Sequence, residues 1–365
     1  MRNGAEGSGG RARSGDTSST ASSELALSGA TSRRDLAGEF RAGKVRGLAR
    51  AITLVEQRDP SVRHLLESLG ELVRPPYVVG LTGAPGTGKS TLVDSLVTLL
   101  RSRDQAVAVI AVDPNSPYTG GAILGDRIRM QRHALDPKVY IRSMGARGHM
   151  GGLSVATREA IRLIGAFGFE WVLLETVGVG QSELEVAAFA DTTLVVLTPG
   201  MGDGVQMIKA GIMEIGDVFV VNKADLPGAQ KTVQEVRSML SMGTLLPPGS
   251  TRRGGVGAKA WRPPIVTAVA LKGEGTEDVM DAVEKHRDFQ KTSGQARERA
   301  EARLKDEAAD LVGEWARAEA RRLLDAEPAL SFRLLRDRVP YAAAEEILTR
   351  QGGELVPKAA RRRDA

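Results

Sequence analysis

The sequence GAPGTGKST at 83–91 decides the fold of this chain. It matches the pattern G-x-x-x-x-G-K-[ST], a loop between a strand and a helix whose backbone N–H groups wrap the phosphates of a nucleotide. We expect Lys89 to reach the β- and γ-phosphates and the Ser90 hydroxyl to bind Mg²⁺. The expected nucleotide contacts are those of the whole loop: Gly83, Ala84, Pro85, Gly86, Thr87, Gly88, Lys89, Ser90 and Thr91.

Around this loop, continuous apolar runs alternate with helical patterns. Continuous runs are typical of strands buried on both faces, and their alternation with helices indicates a mainly parallel sheet flanked by helices. The sequence therefore predicts an α/β P-loop fold. The runs are YVVGLT (77–82), AVAVIAV (106–112), WVLLET (171–176), TTLVVLT (192–198), VFVVN (218–222) and PIVTAVA (264–270).

Helical spacing of apolar residues continues on both sides of this domain. The N-terminal pattern, 33–74, is interrupted at Asp59-Pro60, which predicts two helices. The C-terminal patterns, 277–325 and 341–350, predict an arm whose apolar stripe is buried by the N-terminal helices or by a second subunit. The expected division is a disordered tail (1–32), an N-terminal helical extension (33–75), the P-loop domain (76–285), a C-terminal helical arm for dimerisation (286–355) and a basic tail (356–365).

A second motif, NKAD at 222–225, predicts which base is bound. The Asp225 carboxylate can accept hydrogen bonds from the N1–H and amino groups of guanine, whereas adenine would place a lone pair there. Asn222 and Lys223 complete the motif. The two motifs together predict binding of GTP rather than ATP.

The composition excludes several classes of protein. The chain has no Cys, which excludes disulfides and thiolate chemistry, and its four His are scattered, which argues against a dedicated transition-metal site. Residues 1–50 and 356–365 carry +4 and +3 of the net charge of +5, so the body is not a basic nucleic-acid surface. No apolar run approaches the ~20 residues of a membrane span. Because residues 1–32 lack the apolar core of a secretory signal, we expect a cytoplasmic protein.

The run ETVGVGQSE at 175–183 is the expected switch. Glu175 follows a strand and has the charge to hold an Mg²⁺-bound water, and the Gly178 N–H is placed to bond the γ-phosphate. Small GTPases position the attacking water with a Gln directly after this glycine, but here Gln181 lies further on. Slow intrinsic hydrolysis, improved by a partner, follows from this spacing, although Gln181 also fits a simple polar residue at a helix N-terminus.

Further charged residues fall where loops should meet the phosphates. Asp113 follows the strand 106–112, and Asp126 lies in GGAILGDRIRM at 120–130, so both are candidates for the Mg²⁺ water shell. Asp203 and Lys209 flank a glycine-rich segment that could form another mobile loop. On spacing alone, Asp113 and Asp126 fit solvated loop charges as well as Mg²⁺ contacts. Lys209 fits a residue on a surface helix better than a switch residue.

With these motifs assembled, the chain resembles the methylmalonyl-CoA mutase-associated GTPases (the MeaB/ArgK family), which are SIMIBI-class P-loop GTPases. The resemblance spans about residues 35–350. It is carried by GAPGTGKST (83–91), VDPNSP (112–117), GGAILGDRIRM (120–130), RGHMGGL (147–153), ETVGVGQSE (175–183), PGMGDGVQMIKAGIMEIGD (199–217), NKAD (222–225), WRPP (261–264) and PYAAAEEIL (340–348).

The resemblance implies a homodimeric G-protein chaperone for an adenosylcobalamin-dependent acyl-CoA mutase of the methylmalonyl-CoA mutase type. Such a protein couples GTP binding and hydrolysis to cofactor loading and protects the mutase against inactivation. The implied Mg²⁺ set is Ser90, Asp113, Asp126 and Glu175, and the implied switch pair is Asp203 and Lys209. The implied functional positions are Lys89, Ser90, Asp113, Asp126, Glu175, Asp203, Lys209, Asn222, Lys223 and Asp225.

Two features depart from the family pattern. The last base-contacting loop, S-A-L in the family, reads Val269-Ala270-Leu271 here, so the Ala270 N–H can still reach guanine O6 but a Ser hydroxyl is missing. The basic insertion at 243–260 has no assigned role.

Two competing functions remain open on the sequence. A metal-insertion accessory GTPase of related fold would be expected to carry Cys or clustered His ligands, which this chain lacks. A transport-associated kinase would yield a phosphorylated protein product from ATP.

Overall fold

The computed structural model describes residues 36–59, 61–70, 74–113, 130–145, 150–176, 182–200, 213–243, 261–328 and 340–350. Within these ranges the chain forms one seven-stranded sheet in the order β3-β2-β4-β1-β5-β6-β7, and every pairing is parallel. The strands are β1 (Tyr77–Thr82), β2 (Val107–Asp113), β3 (Val139–Gly145), β4 (Trp171–Thr176), β5 (Thr192–Leu197), β6 (Val218–Val221) and β7 (Ile265–Thr267).

The parallel sheet confirms the predicted α/β P-loop fold. Strands β4, β5 and β6 are buried along their whole length, as their continuous apolar sequences require. Two details differ from the prediction. The last strand is shorter than 264–270 because the chain enters a 3₁₀ turn at Ala270–Lys272. Strand β3 was not predicted, since VYIRSMG lies at the sheet edge and buries only Tyr140 and Met144 fully.

Helices connect the strands and extend the domain. Those of eight residues or more are α1 (Val45–Glu56), α2 (Ser61–Leu69), α3 (Lys89–Ser102), α4 (Met150–Phe167), α5 (Ser182–Phe189), α6 (Ala229–Gly243), α7 (Thr276–Ser293), α8 (Gln295–Ala326) and α9 (Tyr341–Arg350). The helical pattern at 277–325 is divided in two at Gly294, which has a φ of +80°. Residues other than glycine rarely adopt such a value. Residues 36–41 are also helical, so the N-terminal region contains one more helical segment than predicted.

The chain divides into two compact units, Met1–Pro76 with Glu159–Phe169, and Tyr77–Arg158 with Glu170–Ala365. The first unit buries the apolar faces of α1 and α2, and the ring of Phe40 packs edge-on against Phe167 at 5.3 Å between centroids. The five-part division proposed from the sequence remains a prediction, and its tails at 1–32 and 356–365 lie outside the described residues.

The core of the second unit fixes the helix that follows the phosphate loop. Leu92, Leu96 and Leu100 lie on one face of α3 and are at most 1% exposed. They pack in the same apolar cluster as strand residues of the sheet and as Val279 and Val283 of α7. The N-terminus of α3 is therefore held at the carboxyl edge of the sheet, where ligands of open α/β folds bind.

A buried polar network occupies the opposite edge of the sheet, at the amino ends of β1 and β5. The Thr192 hydroxyl hydrogen-bonds to the Tyr77 hydroxyl at 2.6 Å and to His286 Nδ1 at 2.8 Å. Burial raises the pKa of the Tyr77 phenol, so this group stays a neutral hydroxyl. Arg303 of α8 contacts Asp191 with a 2.6 Å Nη2–Oδ1 distance, which ties α8 to the start of β5.

Candidate nucleotide-binding site

The phosphate loop has a backbone that only glycine can provide at two positions. Gly83 has φ of +138°, and a Cβ there would overlap the carbonyl oxygen of Val196 in β5. Gly88 has φ of +85°, and a Cβ there would overlap the Asn222 side chain. These close approaches explain two of the motif's glycines and bring the loop against β5 and the NKAD segment.

The loop lysine lies curled inside the loop. Lys89 is 8% exposed, and its Nζ donates to the carbonyl oxygens of Gly83 at 2.6 Å and Ala84 at 3.2 Å. The cation is thus held where the loop backbone curves around the expected phosphates. Its contact with the β- and γ-phosphates remains a prediction.

Two of the four predicted Mg²⁺ ligands are in contact. Ser90 Oγ, at the start of α3, donates to Glu175 Oε1, near the end of β4, at 2.7 Å. Both side chains are buried. A hydroxyl and a carboxylate are oxygen donors of the kind that Mg²⁺ prefers beside a nucleotide, so this pair fits the ion.

Asn222 joins the phosphate loop to the base-contacting loop. Its Nδ2 donates to Thr87 O at 2.9 Å, and its Oδ1 accepts from Ala270 N at 3.1 Å. Asn222 is 2% exposed, so both hydrogen bonds are shielded from water. The Ala270 N–H, which the sequence assigned to guanine O6, therefore already has a partner in this structure.

Ser95 adds a second link between the same loops. Its Oγ donates to Ala270 O at 2.6 Å, from the second turn of α3. The sequence analysis missed this residue, and its signal was weak: a small polar residue on the otherwise apolar buried face of α3. Through Ser95 and Asn222, the phosphate-binding helix and the NKAD segment position the Ala270 turn.

Lys223 and Asp225 of the NKAD segment contact the phosphate loop and the turn after β7. Lys223 has φ of +56°, and its Nζ donates to Gly86 O at 2.9 Å, so it spans the phosphate loop. Asp225 is partly exposed, and its Oδ2 lies 3.5 Å from Lys272 Nζ, a contact that the sequence analysis did not anticipate. Leu271 is 87% exposed beside this pair.

Several predicted residues cannot be placed. Asp113 ends β2, next to the Glu175 strand in the sheet, but its side chain is not among the described ones. The other predicted residues that lie outside the described residues are Asp126, Gly178, Gln181, Asp203 and Lys209. Their roles remain predictions.

Comparison with known proteins gives a family. The model of the family "Methylmalonyl Co-A mutase-associated GTPase MeaB" matches residues 48–322. The chain belongs to this family. Membership makes it a P-loop GTPase and confirms the resemblance drawn from the sequence motifs.

Individual MeaB relatives agree with this assignment. A Pyrococcus abyssi protein named as a GTPase is 42% identical over 317 residues, covering 86% of this chain and 95% of that protein. A Caenorhabditis elegans protein named methylmalonic aciduria type A homolog, mitochondrial, is 34% identical over 278 residues, covering 72% of this chain and 68% of that one.

A solved structure extends the likeness to the MeaB fold. The crystal structure described as that of a LAO/AO transport system kinase superposes with a TM-score of 0.60 and 26% identity, covering 87% of this chain and 96% of that one. Among the described helices of the present chain, none combines the length and the apolar character needed to cross a membrane.

Proposed function

We propose that this GTPase is the G-protein chaperone of an adenosylcobalamin-dependent acyl-CoA mutase of the methylmalonyl-CoA mutase type. It couples the GTP state to cofactor loading and to protection of the mutase. The observation that carries this proposal is the match over 48–322 to a family named for its association with that mutase. The Caenorhabditis elegans relative, named for methylmalonic aciduria, supports the same assignment.

GTP and Mg²⁺ are the proposed ligands of the site. The buried contact between Ser90 and Glu175 supports an Mg²⁺ position, with Asp113 and Asp126 as further candidates for its water shell. Bound there, the ion would neutralise charge that develops on the phosphate oxygens. Lys89 supplies a second positive charge from within the loop.

Base selection is proposed to depend on the NKAD segment. Asp225 accepts from the guanine donors, while Asn222 keeps the Ala270 turn in place. Val269, Ala270 and Leu271 form the border of the base. Adenine would leave the Asp225 carboxylate without two hydrogen bonds, so we expect GTP to bind at least tenfold more tightly than ATP (~1.4 kcal/mol per tenfold).

The protein is proposed to act as a cytoplasmic homodimer through its C-terminal arm. Leu304, Leu311, Val312 and Trp315 of α8 are each 46–65% exposed and recur at helical spacing. A second copy of the chain would bury this apolar stripe. Sedimentation of the wild-type protein and of Trp315→Glu tests the dimer, which the charged variant should weaken.

The decisive test of function measures GTP turnover with and without the mutase. We expect the mutase to raise a slow intrinsic rate, with Gly178 and Gln181 as candidates for positioning the γ-phosphate and the water. The matched variant Lys209→Ala should keep nucleotide affinity but lose much of this stimulation, since a positioned cation can contribute ~10³-fold. Equal stimulation of both proteins would mean that the segment carrying Asp203 and Lys209 does not couple the GTPase to the mutase. No stimulation of either would contradict the mutase proposal.

One competing proposal keeps a specific observation in its favour. The superposed crystal structure is described as a transport system kinase. A kinase of that kind would transfer phosphate from ATP to a transport protein, so incubation with radiolabelled ATP distinguishes the two. The mutase proposal expects no phosphorylated protein product.

A further inference from the structure

An ion pair lies beside the expected base-reading carboxylate. Lys272 Nζ is 3.5 Å from Asp225 Oδ2, and the two side chains are 54% and 42% exposed. The residues come from the segments that follow β6 and β7, neighbouring strands whose carboxyl ends meet at the nucleotide edge. The cation is therefore adjacent to the group on which guanine recognition is proposed to depend.

The backbone that carries this lysine is held in place. Lys272 ends the 3₁₀ turn Ala270–Lys272, and its N–H donates to Val269 O at 2.9 Å. Asn222 and Ser95 fix the same turn through the N–H and the carbonyl of Ala270. The Lys272 side chain therefore extends toward Asp225 from a backbone that is fixed by hydrogen bonds.

We infer that Lys272 is a specificity-determining residue that moderates how strongly Asp225 prefers guanine. The inference rests on Asp225 as the base reader, which belongs to the proposed function. Guanine offers two N–H donors to the carboxylate, and these bonds are strongest when the acceptor keeps its full charge. An ammonium 3.5 Å from Oδ2 attracts the carboxylate and so weakens its hydrogen bonds to guanine.

The same ammonium changes the outcome for a base with an acceptor at C2. Xanthine carries a carbonyl oxygen where guanine has its amino group, so Asp225 alone would repel it. Lys272 can donate to that oxygen. Its effect is therefore opposite for the two bases: it weakens guanine binding and favours xanthine binding.

The test compares dissociation constants for GTP and XTP by calorimetry at fixed pH and salt. Lys272→Met keeps the length of the side chain and removes the charge. GTP should bind about two- to fivefold more tightly, the scale of an exposed ion pair, and XTP should bind more weakly. Lys272→Arg retains the charge and should keep the wild-type ratio of the two constants. An unchanged ratio in Lys272→Met, or weaker GTP binding, overturns the inference.

A matched control removes a similar pair elsewhere. Lys138 Nζ lies 2.7 Å from Asp104 Oδ2 on the protein surface, outside the nucleotide loops. Lys138→Met should leave both constants within about twofold of wild type, because Lys138 and Asp104 lie outside the loops that contact the nucleotide. A change equal to that of Lys272→Met would mean that net charge alone is responsible, and would overturn the specific role.

Asp225→Asn separates the inference from the proposal beneath it. An amide should weaken GTP and strengthen XTP, because its NH₂ group meets the xanthine carbonyl. If Asp225→Asn leaves both constants unchanged, base reading by Asp225 fails and the Lys272 inference fails with it. If Asp225→Asn shifts the preference and Lys272→Met does not, only the inference is overturned.

Discussion

Replacing Asn222 by alanine should loosen both halves of the nucleotide site at once. The side chain is 2% exposed and bridges Thr87 O, 2.9 Å away, and Ala270 N, 3.1 Å away. Thr87 and Ala270 are themselves buried, so the substitution leaves one acceptor and one donor without a partner. At about 1–3 kcal/mol for each of these two unsatisfied buried groups, the free energy of unfolding should fall by about 2–6 kcal/mol.

Urea unfolding and calorimetric GTP titration measure the two effects of Asn222→Ala. We expect GTP affinity to fall at least about tenfold, because the phosphate loop and the Ala270 turn are no longer held together. Ser95→Ala should cost only ~1 kcal/mol, since Gly273 N also bonds Ala270 O and the carbonyl keeps a partner. Ser102→Ala, at an exposed hydroxyl of α3, should change neither quantity. An Asn222→Ala protein with wild-type stability and GTP affinity would refute the bridging role.

Further predictions concern the charges of the nucleotide site and the polar network at the amino ends of β1 and β5. Lys89→Ala should abolish GTP turnover, measured as phosphate release, because the cation at the β- and γ-phosphates is lost. Intrinsic turnover of the wild-type protein should stay well below one per second, and a rate above about ten per second without a partner would contradict this. Equal affinities for GTP and ATP in calorimetry would disprove base reading by Asp225. Thr192→Val should lower the free energy of unfolding in urea by about 1–3 kcal/mol, since His286 Nδ1 loses its bonded hydroxyl; no change would mean that water replaces it.

The sequence predicted the elements whose chemistry or burial leaves a local signature. The phosphate loop needs glycines at Gly83 and Gly88 for steric reasons that the structure confirms, and the strands buried on both faces need continuous apolar runs. Strand β3 was not predicted because this edge strand mixes Arg142 and Ser143 with apolar residues and so lacks a continuous apolar run. Its partner β2 was predicted because β4 covers its other side.

The contacts that link the loops of the site were beyond sequence reasoning. Ser95 and Ala270 are 175 positions apart, and only the packing of α3 against the sheet brings them together. Lys272 gave no signal either, since a lysine after the base loop looks like an ordinary surface residue until the fold places it beside Asp225. The roles of such residues depend on contacts made in the tertiary structure, and no local motif indicates them.

The most direct test of the account is the affinity of the mutase for the two nucleotide states of this GTPase. The protein is loaded with a non-hydrolysable GTP analogue or with GDP, and an adenosylcobalamin-dependent methylmalonyl-CoA mutase is titrated into each by calorimetry. A nucleotide-coupled chaperone predicts dissociation constants that differ by at least about fivefold between the states. Equal constants, or no binding in either state, would contradict it.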